Sequence, residues 1–482
     1  MNLFKIYLVV CCCLLAFSGF AQSRMDTVKQ LSVVEVSSSR LSTFSSGNKS
    51  ETIDSALLDQ YSTGNLADML ANESQVFVKS YGLGSLASTS FRGSGASHTA
   101  VLWNGFNLQS PMLGQLDISL IPTNFLNDVK LQYGAAGALW GSGAVGGTIH
   151  LNNTSQFDKG ISASGTIAFG SFSDKQQQAS FEISKKRFVT SFKVFNHEAK
   201  NDFPFINTAQ YGKPEQKQSN AELKQKGLLQ ENYFQLNSNQ KINTRFWYQF
   251  SDRNIPPSMT QNRNISNQKD ESYRATTEWQ RTGEKLTLLA RFAYFDEGLK
   301  FKDSMINEDS KSRTKNAISE VESRFSITKF DLVNIGINNT YSEASTPDYV
   351  KNRFENRTAL FGSYKIHSAK NNWNAVISAR QEFIKNKEIP FTSSLGFEGK
   401  LFKFFILKGN VSKHYRLPTF NDLYWAGQGA KGNPNLKPES GWAEELSLIH
   451  RSIYKQIGYR INIIFGHLPM CCRYGLVGLN IR

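Results

Sequence analysis

The stretch from Phe91 to Leu151 constrains the fold of this chain more than any other part of the sequence. It places glycines between short apolar runs and contains no long amphipathic helix. Turn signals such as Asn104-Gly105 and Gly134 divide it into short strand-like segments, because glycine adopts the positive φ angles that tight turns require. Two short helices are expected just before it, between Ile53 and Leu70. The pattern predicts a compact α+β domain over residues 51–153.

The chain beyond Asn153 is built from segments of about ten residues that alternate apolar and polar side chains with a period of two. Aromatic residues stand near the segment ends, as with Phe246 and Tyr248. Such alternation suits strands with one face toward lipid and the other toward water, although a soluble β-sandwich or propeller shows the same period. The segments are Ile161–Phe169, Gln178–Ser184, Phe188–Phe195, Phe234–Leu236, Thr244–Phe250, Thr287–Phe295, Leu332–Tyr341, Thr358–Ile366, Trp373–Phe383 and Ser394–Leu401.

Residues 1–21 have the pattern of an export signal. Lys5 precedes an apolar run from Ile6 to Phe17, and the small residues Gly19 and Ala21 fit a cleavage site. A membrane anchor is the alternative, but this run is shorter than the roughly 20 apolar residues that a spanning helix needs. Residues 22–50 are polar and rich in serine, which predicts a flexible arm.

Cysteine placement predicts no disulfide framework in the exported body of the protein. Of the five cysteines, Cys11–Cys13 fall within the signal and Cys471-Cys472 stand close to the last residue. A lipid anchor on Cys11 is an alternative interpretation. Val10 opposes it, because a small residue is expected at that position.

The net charge of +15 invites a nucleic-acid interpretation. The cations are dispersed singly along polar segments such as Lys213–Lys226, however, and form no basic helix. We therefore expect solvated loops that face an anionic membrane surface, and no nucleic-acid partner.

The sequence contains no motif for catalysis or cofactor binding in the structural context that its chemistry requires. Gly141–Gly146 matches G-x-G-x-x-G, but a dinucleotide site needs this turn to open a helix. Here Thr148–Leu151 continues as a strand, which predicts a tight strand-to-strand turn. The seven histidines are isolated, without metal-ligand spacing. No enzymatic activity, metal or cofactor is therefore expected.

Two blocks of the sequence carry a family pattern. The segment Leu66–Leu151 resembles the plug domain of TonB-dependent outer-membrane receptors, and its run from Gly84 to Gly105 is most similar to the cobalamin (vitamin B12) transporters. The late block resembles the family's barrel signature. The matching runs are GSLASTSFRG at 84–93, DISLIP at 117–122, ALWGSGAVGG at 138–147, RLPTFNDLYW at 416–425 and GNPNLKPE at 432–439.

The resemblance implies a β fold in which the N-terminal α+β plug lies inside an antiparallel transmembrane β-barrel. The family's barrels have about 22 strands, and residues 154–465 would supply the barrel here. The implied function is import of a large scarce nutrient, such as cobalamin or a ferric siderophore, through the outer membrane. Energy would come from TonB and its inner-membrane complex. The rival interpretations are a surface receptor or adhesin that does not transport and a non-functional truncated remnant.

TonB contact requires an exposed extended peptide that adds a strand to a partner sheet. The run Val33, Val34, Glu35 and Val36 meets this requirement and stands where the family's TonB box belongs. An ordinary first strand of the plug is the alternative interpretation of the same run. Asp26–Val28 is the weaker second candidate for the TonB box.

Ligand contacts in the family come from plug apices and outer loops. The corresponding apices here are Tyr81–Ser88 and Asn107–Leu113, where glycine and serine let backbone amides approach a large ligand. Turns without a ligand role are an equal alternative. The candidate contact residues are Tyr81, Leu83, Ser85, Leu86 and Asn107.

Three departures from the family pattern stand out. Lys130 and Tyr133–Ala135 replace residues that commonly hold plug to barrel, so these charged contacts must be replaced or missing. The chain after Asn153 is shorter than the roughly 440 residues that 22 strands and their turns require, which predicts an incomplete barrel. The tail at 466–482 breaks the period-two pattern. Our hypothesis is that a frameshift or premature stop replaced the final strands.

Overall fold

The computed structural model describes residues 40–82, 85–402, 404–427, 430–454, 457–467 and 478–481. The predicted export signal, the Val33–Val36 run and Leu83 lie outside these residues. From residue 451 onward the description covers backbone only.

The N-terminal part of the described chain is the predicted α+β plug. Its five-stranded sheet has the order β1-β6-β7-β4-β5, in which only the β4–β7 pairing is parallel. A separate ribbon pairs β2 with β3. The elements are α1 (Arg40–Phe44), β1 (Ser50–Ile53), α2 (Ser55–Gln60), α3 (Leu66–Glu73), β2 (Phe77–Ser80), β3 (Ala87–Ser90), β4 (Thr99–Trp103), β5 (Phe106–Asn107), β6 (Asp128–Tyr133), α4 (Gly137–Trp140) and β7 (Gly147–Asn152), with short 3₁₀ turns at Ala96–His98, Ile118–Leu120 and Thr123–Phe125.

The two helices predicted between Ile53 and Leu70 are present. Asp54 caps α2 by accepting a hydrogen bond from the backbone nitrogen of Leu57 at 3.1 Å. Asn65 caps α3 in the same way. A side-chain acceptor at this position satisfies an otherwise unpaired amide, which explains where each helix begins.

The end of the predicted arm is packed rather than free. Residues 40–50 include α1, in which Leu41 and Phe44 are buried. Phe44 joins a hydrophobic cluster with Leu139 of the plug and Val376 of the barrel. Burial of these apolar side chains outweighs the polar composition from which the arm was predicted.

The barrel sheet contains sixteen antiparallel strands within the described residues. They follow one another as a meander, in which each strand pairs with its neighbour in sequence, except that the small ribbon β11–β12 is inserted between β10 and β13. The elements are β8 (Gly160–Phe169), β9 (Lys175–Ser184), β10 (Phe188–Ala199), β11 (Pro204–Ile206), β12 (Glu215–Lys217), β13 (Leu223–Asn237), β14 (Gln240–Ile255), β15 (Ser266–Thr282), β16 (Leu286–Asp303), β17 (Glu308–Ser326), β18 (Asp331–Ser345), β19 (Arg353–His367), β20 (Trp373–Ile384), β21 (Thr392–Phe402), β22 (Phe405–Arg416), α5 (Phe420–Tyr424), β23 (Glu439–Tyr454), β24 (Ile457–His467) and β25 (Gly478–Ile481).

Side chains alternate between the two faces of this sheet. In β17, Glu320 and Glu322 are buried against the plug, whereas Val321 between them is 52% exposed. Ile335 and Leu360 on neighbouring strands are likewise exposed on the outward face. An apolar outward band beside a polar inner face is the pattern of a membrane barrel.

Strands β15 and β17 correct the sequence analysis, which treated their residues as polar connectors. Their inner faces carry charged side chains such as Arg274 and Glu320, and their outward faces include Thr277 and Ser319. The hydrophobic alternation therefore disappears although the strands are long. Antiparallel backbone pairing with β16, which lies between them, holds both strands in the sheet.

The plug packs inside the curved sheet. Trp103 of β4 meets Trp247 of β14 edge to face, with ring centroids 5.3 Å apart. Phe125 of the plug makes a similar contact with Phe195 of β10. These rings belong to one hydrophobic cluster that spans plug and barrel, so the two parts share a core.

Strands β8 and β25 form the edges of the sheet, and no pairing joins them in the described residues. Strand β24 continues to His467, past the predicted boundary at residue 465, and β25 pairs with it. The proposed break in the reading frame stays a prediction. None of the described helices is long and apolar enough to cross a membrane.

Candidate functional site between plug and barrel

The two ends of the barrel differ in the length of their connections. Turns of two to five residues join the strands at one end, and the other end, which we call the outer end, carries all the connections longer than five residues. Membrane barrels characteristically have this asymmetry. The short turns include 185–187, 238–239, 283–285, 327–330 and 368–372, and the outer end carries 170–174, 200–222, 256–265, 304–307, 346–352, 385–391 and 417–438.

The first predicted apex of the plug lies at the outer end. Asp117 accepts a hydrogen bond at 3.0 Å from the backbone nitrogen of Ala87, which lies within this apex. The same carboxylate lies 2.7 Å from Arg253, near the outer end of β14. One plug carboxylate thus ties the apex to the barrel wall.

The second predicted apex is held by the barrel segment that contains α5. The backbone nitrogens of Phe420 and Asn421 donate to the carbonyls of Pro111 and Met112 at 2.9 and 3.2 Å. Tyr349 donates a hydrogen bond to Asn421 from the 346–352 connection. Burial raises the pKa of Tyr349 well above its usual value, so the hydroxyl stays protonated and remains a donor.

A cavity of about 140 Å³ lies between this second apex and the inner wall of strands β17–β20. Such a volume holds on the order of ten water-sized groups. Its plug side includes Asn107, Gln109 and Ser110, and its wall is polar and charged. The wall residues include Asn316, Glu320, Asn338, Thr340, Ser342, Glu355, Arg357, Arg380, Glu382 and Arg416.

The charges in the cavity wall are not all neutralised. Arg380 pairs with Glu382 at 2.8 Å, and Glu355 pairs with Lys387 at 2.7 Å. Arg357 stands directly beside Thr340 in the strand register. Among the described residues, its guanidinium has neither an ion pair nor a hydrogen-bond partner. A guanidinium that makes no direct hydrogen bond, although it lies within electrostatic range of Glu382, suits a ligand that presents a negative or acceptor-rich group.

Ion pairs fasten the plug to the wall below and around the cavity. Arg40 of α1 pairs with Glu320 and with Glu322. Arg92 pairs with Glu445 at 2.7 Å. Together with Asp117–Arg253, these pairs are charged contacts between plug and barrel that do not involve Lys130 or Tyr133–Ala135.

The structure separates the predicted ligand residues into two places. Tyr81 is 60% exposed, and its backbone nitrogen donates to the carbonyl of Leu86 at 3.1 Å across a turn that includes Ser85. The Nζ atom of Lys79 lies over the Tyr81 ring, 4.9 Å from the ring centroid. Of the predicted ligand residues that the structure describes, only Asn107 lines the cavity. Its side chain exchanges hydrogen bonds with Gln109, which braces the apex.

The sequence analysis missed the charged residues of the wall. A usable signal was present, because Glu320, Glu322 and Arg324 recur at every second position and therefore share one face of a strand. Arg380 and Glu382 repeat this spacing. Charge recurring with a period of two identifies a polar inner face where hydrophobicity does not.

The G-x-G-x-x-G match forms the turn between α4 and β7. It leads into a strand, as predicted, but a short helix rather than a strand precedes it. Gly141 and Gly143 have φ angles of +83° and +85°, which explains the glycines without a nucleotide. Within the described residues, no group of three or more metal-ligating side chains is clustered.

Comparison with known families supports this architecture. The family model described as TonB-dependent Receptor Plug Domain matches residues 42–148. The model described as TonB dependent receptor-like, beta-barrel matches residues 123–460. The two matches together cover the plug and the barrel sheet as far as residue 460.

Similar sequences and solved structures agree with these two family matches. The chain is 24% identical over 431 residues to the vitamin B12 transporter BtuB of Vibrio vulnificus, covering 86% of this chain and 65% of that protein. It is 23% identical over 411 residues to BtuB of Photobacterium profundum, covering 81% of this chain and 62% of that protein. It thus spans less than two-thirds of the length of these relatives.

The siderophore receptor PirA from Acinetobacter baumannii has the same fold, with a TM-score of 0.70 at 15% identity, over 89% of this chain and 71% of that one. The structure has a plug domain inside an antiparallel barrel, and one family model matches each of these two parts. The chain belongs to the TonB-dependent receptor family.

Proposed function

We propose that this protein is an outer-membrane receptor that imports a large scarce nutrient, with cobalamin or a ferric siderophore as its substrate. The observation that carries the proposal is the polar cavity at the outer end, enclosed between the second plug apex and strands β17–β20. Export through a cleaved signal and placement in the outer membrane are part of the same proposal.

The size of the cavity indicates how such a ligand would bind. The cavity of about 140 Å³ is smaller than the roughly 300 Å³ of the smallest typical ligand pockets. A whole cobalamin or ferric siderophore is therefore too large to fit inside it. The body of the ligand would rest on the apices, against Tyr81, Ser85 and Leu86. One polar or anionic group would enter the cavity toward Arg357 and Asn107.

Energy for import would come from TonB. The Val33–Val36 run, with the sequence Val-Val-Glu-Val, is the proposed contact, because an extended apolar peptide adds a strand to a partner sheet through backbone hydrogen bonds. Traction on this run would be transmitted to α1, whose Arg40 is tied to Glu320 and Glu322.

Uptake of radiolabelled cobalamin and of a labelled ferric siderophore tests the proposal in cells that lack their own receptors. We expect saturable uptake of one of the two with the full chain, and background uptake when Val33–Val36 is deleted or TonB is absent. Replacement of Ser37–Ser39 by glycines is the matched control and should preserve uptake. Surface binding that never leads to uptake in any strain would favour the adhesin alternative and overturn import.

A further inference from the structure

The outward face of the barrel carries a groove near the outer end, separate from the cavity beside the plug. The groove has a volume of about 390 Å³ and lies over strands β15–β17. Its lining includes Lys269, Lys300, Lys311 and Arg313, together with Tyr273. We call this surface the basic groove.

These cations point away from the plug. In β15 the even-numbered residues Arg274 and Thr276 are buried against the interior, so the odd-numbered Lys269 and Tyr273 face outward. The same alternation applies to β17, where the even-numbered Thr314 and Asn316 are buried on the inner face and the odd-numbered Lys311 and Arg313 are exposed. The basic groove is therefore on the membrane side of the sheet.

Three lysines of the basic groove stand side by side. The register pairs Lys269 with Lys300, and Lys300 with Lys311, across three consecutive strands. Like charges at directly opposed positions destabilise a sheet. A bound anion would remove this repulsion, so the row is arranged as a binding surface rather than as a neutral part of the wall.

Neighbouring carboxylates neutralise the row only in part. Lys269 pairs with Asp252 at 2.8 Å, and Lys300 reaches Asp309 only at 3.9 Å. Among the described residues, Lys311 makes no ion pair. This lysine and the weakly paired Lys300 keep the groove positive.

Two residues beyond Lys311 on the same face of β17, Arg313 is held by Asp296 through two hydrogen bonds of 2.6 and 2.7 Å. The Glu271 carboxylate accepts hydrogen bonds from the hydroxyls of Tyr248 and Tyr273. These two carboxylates are therefore engaged and leave the lysine row open to an external anion.

A glycine and a row of tyrosines shape the lower part of the groove. Gly298 lies between Glu271 and Arg313 in the register and leaves a hollow where other residues would project a side chain. Tyr248, Tyr273 and Tyr294 follow on the outward face. These three tyrosines lie side by side near the middle of their long strands, and an outward row of aromatic residues on a membrane barrel marks the level where lipid head groups meet the hydrocarbon region.

We propose that the basic groove binds the phosphate groups of an anionic lipid in the outer leaflet, with the acyl chains lying along the apolar outward face below the tyrosines. The inference rests on the membrane placement in the proposed function but not on import. Lysine and arginine next to a hydrocarbon boundary are the groups that attract anionic head groups.

Lipid retention by the purified full chain tests this site. The chain would be incubated in detergent with diphosphorylated lipid A or with phosphatidylcholine, and the bound lipid counted by native mass spectrometry. We expect selective retention of lipid A, and about a tenfold loss of it in the double variant Lys300→Gln and Lys311→Gln. Lys285→Gln with Lys329→Gln, two exposed lysines in the short turns at the opposite end, is the charge-matched control and should retain the lipid.

A second variant keeps every charge and fills the hollow. In Gly298→Leu the new Cβ would meet no atom nearer than 3.9 Å, so the strand accepts it while the side chain occupies the groove. We expect it also to lose lipid A, with unchanged strand content by circular dichroism.

Equal retention of lipid A by the wild type and both groove variants would overturn the proposal, as would equal retention of lipid A and phosphatidylcholine by the wild type. The measurement uses purified protein, so a chain that retains lipid A in the expected pattern but shows no nutrient uptake would reject import alone.

Discussion

The guanidinium of Arg92 in the plug lies 2.7 Å from the carboxylate of Glu445 in strand β23 of the barrel, 353 positions away in the sequence. Glu445 is almost fully buried, and Arg92 is about three-quarters buried. The pair joins the strand-like signature run of the plug to the strand that follows the late family block. It shows how charge fixes the orientation of the plug within the wall.

Removal of one partner of this pair should destabilise the protein more than removal of both. Arg92→Met leaves Glu445 buried without its cation, which we expect to cost about 2 kcal/mol after allowance for the partial exposure of Arg92. The double variant Arg92→Met with Glu445→Gln should recover part of this loss. Denaturant unfolding of the full chain in detergent, followed by tryptophan fluorescence, measures the difference. Strictly additive effects would contradict the role given to the pair.

Gly141 should not tolerate a side chain. Its φ of +83° and ψ of −151° belong to a region that only glycine occupies readily, and an added Cβ would lie 2.8 Å from a carboxylate oxygen of Glu382. We expect Gly141→Ala to lower the free energy of unfolding by about 2 kcal/mol. Gly165→Ala is the matched control, because its Cβ would meet nothing nearer than 3.8 Å. A loss of similar size in both variants would show that the turn geometry is not the cause.

The plug was largely predictable from sequence, whereas the wall of the cavity was not. Short strands, glycine turns and capped helices are local features, and Asp54 and Asn65 cap helices within the predicted region. The ion pairs of Arg40 with Glu320 and Glu322 join residues about 280 positions apart, and no local pattern specifies them. The same charges explain why β17 was not predicted as a strand. Its inner face contacts the plug through charged side chains, so the sequence shows no hydrophobic alternation there.

Stability should decrease as the pH falls, through His150. Burial in β7, with Lys130 nearby, lowers the pKa of His150 from 6.5 to about 3, so the folded protein holds it neutral. The unfolded chain takes up a proton below pH 6.5, and stability is therefore lost progressively between about pH 6.5 and 3. At pH 5 the loss should be about 2 kcal/mol.

The variant His150→Gln isolates this contribution. The hydroxyl of Thr148 is hydrogen-bonded to Nε2 of His150 at 2.7 Å. Glutamine at position 150 keeps a polar group that can make this hydrogen bond. Unfolding measured at pH 7.5 and pH 5 should show a smaller difference in the variant than in the wild type. An equal pH dependence in both proteins would assign the effect to other groups.

The proposed import would require the plug to move relative to the barrel wall, and a reversible crosslink between the two tests this most directly. The backbone nitrogen of Leu417 donates to the hydroxyl of Ser142 at 2.9 Å, so these two positions are in direct contact between plug and barrel, and we choose Ser142→Cys with Leu417→Cys as the pair to be crosslinked by oxidation. The pair would be placed in a chain with Cys471→Ser and Cys472→Ser. We predict that oxidised cells bind the nutrient but take up none, and that a reductant restores uptake. Undiminished uptake with the disulfide confirmed by mass spectrometry would contradict the account.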